Sequence, residues 1–160
     1  MKIKSPNPTG STRLMTKAAL YSIAVMLLTT VHHAYGAVVD NSPFRFHVVL
    51  ISVPVMLIIL GTLGAFRKWA GSTAGEAALW LFIIVGTVIP VAWIGFYEGG
   101  YNHLRRNILY FSGAPASIYG EFGDAFFEVT GVLHFPLALL AGYYIYHLIR
   151  DKYKAGATIS

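Results

Sequence analysis

The sequence predicts an all-α, polytopic integral membrane protein: a four-helix bundle with both termini in the cytoplasm. Three observations carry this expectation. Hydrophobic residues make up 56% of the 160-residue chain against only 12% charged, far from the balance of a soluble domain. The apolar residues gather in four long stretches, each near the roughly 20 residues a helix needs to cross hydrocarbon, where no water satisfies the backbone. Lys and Arg are absent inside all four stretches, which are apolar almost all round rather than striped like the helices of a soluble protein.

Residues 1–17 read as a basic cytoplasmic N-terminus, with Ser5-Pro6-Asn7-Pro8-Thr9-Gly10 a flexible lead-in rich in turn formers. The first span is expected over about 18–39 and the second over about 46–66, joined by the short turn Asp40-Asn41-Ser42-Pro43. Gly71-Ser72-Thr73-Ala74-Gly75 turns the chain into a third span over about 77–97, with Glu76 placed to favour the helix dipole. A long loop, 98–124, precedes a fourth span over about 125–149 and a tail, 150–160. Within the loop, Leu104 to Phe111 mixes two arginines with apolar residues and is a candidate interfacial helix. Pro54, Pro90 and Pro136 fall inside spans two, three and four, where each removes a backbone donor and favours a kink.

Charge sets the orientation. Lys2, Lys4, Arg13, Lys17, Arg67, Lys68, Arg150, Lys152 and Lys154 fall on one side of an even number of crossings, and only Arg45, Arg105 and Arg106 on the other. The richer side is the cytoplasm by the positive-inside rule. The net charge of +5 is therefore anchoring, not a nucleic-acid surface, since the basic residues form no single patch. An alternative for the N-terminus is a secretory signal, with an apolar run from Ala18 to Val31 and a small-residue stretch at Ala34-Tyr35-Gly36-Ala37. The chain has no cysteine, which removes disulfides, thiolate metal sites and cysteine nucleophiles.

The polar chemistry is unevenly placed. Five of the six histidines (His32, His33, His47, His103, His134) and five of the seven acids (Asp40, Glu98, Glu121, Asp124, Glu128) fall on the expected outer side. At ~1.5 Å per residue, His33 lies ~9 Å, His47 ~3 Å, Glu128 ~5 Å and His134 ~14 Å below the outer ends of their spans, with Glu98 ending span three. All four helices thus deliver a nitrogen or oxygen to one shallow layer. Ionisable groups inside a membrane mark function by default. His32, His33, His47, Glu98, His103, Glu128 and His134 are accordingly the candidate metal ligands, for iron, copper, zinc or manganese. A heme b would require two histidines facing across the bundle, such as His33 and His134.

Plainer readings stand beside these. His47 reads as interfacial and His103 as a solvated loop residue, while His147 snorkels at the inner interface. Glu128 and His134, about 120° apart at 100° per residue, fit an interhelical hydrogen bond as well as a ligand role. The expected function is a redox-related metal protein acting from the outer side. The alternatives are a non-catalytic subunit, through contact with other membrane subunits or self-association, and a small transporter or proton path. Lipid is the expected surrounding in every case, in a plasma or inner membrane.

Overall fold

The computed structural model describes residues 8–120 and 124–157. Among them there is no strand, and four helices are long and apolar enough to cross a membrane: Gly10–Val39, Pro43–Lys68, Thr73–Phe111 and Ala125–Lys154. Helix α1 (Pro8–Val39) leads through a 3₁₀ turn, Pro43–Phe46, into α2 (His47–Lys68). The third crossing begins as α3 (Thr73–Gly86), capped by the Ser72 side chain on the Gly75 N–H, and continues as a π-helical segment (Thr87–Leu104) into α4 (Arg105–Phe111). A single turn, α5 (Ala116–Tyr119), precedes α6 (Ala125–Ala157).

Neighbouring helices pack in a closed ring: α1 on α2, α2 on α3, the π segment on α6, and α6 on α1. Apolar residues fill the interior, with Met15, Met26, Ile59 and Phe82 at 0–1% exposure. Leucines and valines such as Leu20, Leu27, Leu50 and Leu57 face outward. In water that surface would drive aggregation; in hydrocarbon it is the solvated surface. At the end of the bundle away from the polar group described below, Arg67 donates to Thr16 and Lys152 pairs with Glu76, joining four helices.

The chain departs from the sequence expectation at its helix ends. Helix α1 already includes Pro8–Gly10 of the lead-in, together with Arg13 and Lys17; residues 5–7 lie outside the described residues. The third crossing does not stop at residue 97. Gly99 and Gly100, a pairing that commonly ends a helix, lie inside the π segment, and the helical path runs on to Phe111. Helix α6 likewise continues beyond 149 to Ala157.

The π segment begins directly after the residue whose carbonyl Pro90 leaves without an N–H, whereas Pro54 and Pro136 sit in helices that stay α. A proline ring presses on the carbonyl of the residue four positions back and offers no N–H to it. For Pro90 that residue is Gly86, where α-helical bonding ends. Beyond it the backbone bonds i→i+5, as in the Arg105 N–H on the Gly100 carbonyl. Glycine then lets this wide turn sit close against α6. A Cβ on Gly95 would collide with Ala138, and one on Gly99 would lie 2.7 Å from the Phe135 nitrogen and 2.8 Å from the His134 Cβ. Gly95 and Gly99 are four apart, the small-residue spacing that brings membrane helices together.

Candidate metal centre

The π geometry decides which side chains meet. At 100° per residue, Glu98 and His103 would lie ~140° apart around an α-helix. The i→i+5 turn brings positions five apart back toward one face. Here the Glu98 Oε1 is 3.9 Å from the His103 Nε2 and 3.5 Å from the His33 Nε2 on α1. One ligand atom each from His32, Glu98 and His103 lies within 4.8 Å of the others. His32 and His103 are 0% and 2% exposed, so the group is inside the bundle.

Three imidazoles gather around His32. Its ring stands edge-on to those of His33, His103 and His134, with centroids 5.2, 4.8 and 5.3 Å away. Phe127 stacks on it at 4.0 Å. Gly36 makes room for that stack, since a Cβ there would lie 2.7 Å from the Phe127 ring and 2.6 Å from the Arg45 guanidinium. His33 and His134, the pair a heme would require, both pack edge-on against the His32 ring.

Hydrogen bonds fix how three of these rings carry their protons. The Thr130 hydroxyl donates to the backbone carbonyls of Phe126 and Phe127, 2.8 and 3.1 Å away. Its hydrogen is therefore committed, and its oxygen, 2.9 Å from His32 Nδ1, accepts from that nitrogen. His134 Nδ1 donates to the Gly131 carbonyl at 3.0 Å. The neutral tautomer of both rings then leaves a bare lone pair on Nε2, and both Nε2 atoms are buried without a hydrogen-bond partner. Leaving one such atom unsatisfied costs on the order of 1–3 kcal/mol. Of the two rings, His32 also offers a ligand atom within 4.8 Å of Glu98 and His103.

His103 is oriented the same way from the other end. Its Nδ1 donates to Glu128 Oε2 at 3.1 Å, which turns Nε2 toward Glu98. Glu128, 2% exposed, is itself held by Arg106 and by the Asn107 amide at 2.8 Å. A carboxylate behind a histidine is the common way of setting ring orientation and raising ligand basicity at metal sites. The ring reaches this position only because residue 131 is glycine: a Cβ there would overlap the ring atoms of His103.

The seven expected ligands thus separate. His32, Glu98 and His103 converge, with His33 and His134 packed against them. Glu128 backs His103 rather than entering the group. His47 stands apart, its Nδ1 on the Phe44 carbonyl and its ring against the Phe44 ring. His103 is not the solvated loop residue its neighbours suggested, because the third crossing stays helical past it. Asp124 is occupied at the start of α6, accepting from the Phe127 N–H and the Tyr35 hydroxyl. Glu121, another of the acids expected on the outer side, lies outside the described residues.

Sequence reasoning missed Thr130, Arg106, Asn107 and Gly131. One signal was available. Asn107 follows His103 by four positions, where helical side chains share a face, and its amide also reaches the His103 carbonyl.

Fold and site together define a four-helix membrane-type bundle with a buried histidine–carboxylate group. Comparison with protein-family models, curated proteins and solved structures gave no match to this chain.

Proposed function

We propose that the chain is a membrane-embedded redox protein in which His32, His103 and Glu98 bind one first-row divalent metal ion, with iron favoured by the ligand set. The observation that carries this reading is the convergence of two imidazole nitrogens and one carboxylate oxygen within 4.8 Å, inside an apolar bundle. Two histidines and one carboxylate, with coordination positions left open, are the ligand set of non-heme iron. Zinc, manganese and copper share the same donor types, and His33 and His134 stand ready as further nitrogen donors. The bias of Lys and Arg toward the opposite end supports placing this site on the outer side of a plasma or inner membrane, with both termini cytoplasmic.

The test is elemental analysis and electron paramagnetic resonance of the protein purified in mild detergent, as isolated and after incubation with Fe(II), Zn(II), Mn(II) or Cu(II). Stoichiometric metal is expected in the wild type and in His47→Ala, and loss of it in His32→Ala, His103→Ala and Glu98→Ala. Wild-type protein that takes up no more of any of these metals than a His32→Ala/His103→Ala double variant overturns the reading.

A further inference from the structure

Next to the histidine–carboxylate group lies a cavity of about 350 Å³ that opens to the exterior. Its size suits a small molecule, being near the lower end for ligand pockets. His33, Glu98 and His103 form its inner wall, and Arg45, Arg105 and Arg106 line the rest with Asn102 and Tyr101. We infer that this cavity is a binding vestibule for a small oxyanion, a carboxylate or an inorganic oxyanion such as phosphate, held by the three guanidinium groups against the proposed metal. The inference rests on the metal reading for the word "metal" alone; the anion seat is built from the arginines.

The guanidinium groups of the lining carry the argument. Three of them line the cavity with one carboxylate, Glu98; Asp40 and Glu128 offset the charge of Arg45 and Arg106, which leaves Arg105 as the guanidinium with no carboxylate partner among the described residues to attract an anion. Arg45 is paired with Asp40 at 2.7 Å and Arg106 with Glu128, but each guanidinium has five N–H donors and these partners use only part of them. The Arg106 Nε is buried and has no hydrogen-bond partner. Arg105 is exposed, and its guanidinium lies over the Tyr101 ring, 4.9 Å from the centroid. Stacking of that kind leaves the donor edge of the guanidinium available. Planar forks of this type match the two oxygens of a carboxylate or oxyanion. Phe127 and Tyr119 supply the aromatic part of the wall, which lowers the local dielectric and strengthens the attraction.

A phospholipid head group offers the same oxyanion chemistry as a free anion, so the experiment separates the two. Formate and inorganic phosphate are titrated calorimetrically into the full chain in phosphate-free maltoside micelles, both metal-free and metal-loaded. The titrations are then repeated in nanodiscs containing phosphatidylglycerol. Saturable binding is expected in both metal states, weakened about tenfold or more in Arg105→Gln by loss of charge-assisted hydrogen bonds, and partly restored in Arg105→Lys. Loss of free-anion binding in the nanodiscs assigns the vestibule to a lipid phosphate; unchanged affinity assigns it to a free anion. Binding confined to the metal-loaded protein and indifferent to Arg105→Gln would place the anion on the metal alone and overturn the inference. So would an absence of binding in every form. Anion binding that depends on Arg105 in protein that never takes up metal would sink the metal reading and leave the vestibule standing. Size-exclusion profiles confirm that each variant compared is folded.

Discussion

Replacing Gly131 by alanine adds one methyl group to the middle of α6, and helix propensity alone rewards that change by about 0.5–1 kcal/mol. The packing of His103 reverses the sign. A Cβ at position 131 falls within contact distance of Cγ, Nδ1 and Cδ2 of His103, atoms of a ring and not the far end of a flexible side chain. That ring is fixed by Glu128 on one side and by the His32 and Phe127 rings on others, so it can yield only by moving as a body. Overpacking of this kind costs about 1–3 kcal/mol. The movement also weakens a hydrogen bond to a carboxylate, a class of bond that contributes roughly 1.5–3 kcal/mol. After the propensity gain, the net expectation is a loss of about 2–4 kcal/mol. The assay is unfolding by sodium dodecyl sulfate titrated into mild-detergent micelles, with metal content measured on the same preparations. Gly61→Ala and Gly64→Ala, both inside α2, serve as controls, because a Cβ at either position meets nothing within 4 Å, and both should be as stable as the wild type or up to about 1 kcal/mol more stable by helix propensity. A Gly131→Ala protein as stable as these controls, with its metal retained, would refute the placement of His103 against α6.

Two further substitutions test the groups behind the ligands. Thr130→Val keeps the shape but removes the oxygen that holds the His32 Nδ1–H, so metal affinity measured by chelator competition should fall about tenfold while Thr130→Ser recovers most of it. Glu128→Gln keeps an acceptor but strips the negative charge that faces His103 and Arg106. Metal affinity should drop about 10- to 100-fold, and stability by about 2 kcal/mol, since the partly exposed Arg106 loses its counter-charge and the buried His103 its anionic acceptor.

Much of the molecule was legible in the sequence because its causes are local. Hydrocarbon length and backbone satisfaction identify the four crossings from apolar runs alone, and these runs are the four long helices observed. The same reading drew the histidines and carboxylates to one end of the helices, and five of its seven expected ligands gather there. Helix ends were less legible. Gly99-Gly100 carries the usual signal of a terminator, yet here the glycines serve the close approach of the π segment to α6.

What the tertiary structure alone decided is which of these groups meet and in what role. Angular reasoning at 100° per residue separates Glu98 from His103 and cannot foresee that beyond Gly86 the helix runs in i→i+5 turns that bring them together. Nor does spacing along α6 show that Glu128 supports His103, or that Thr130 fixes the proton of His32, because both depend on side chains arriving from other helices. His47 shows the converse: at a similar expected depth, it spends its ring nitrogen on the nearby Phe44 carbonyl. Apolar length is a property of one segment against its solvent. A ligand set is a property of several segments against each other, and that is fixed only when the helices pack.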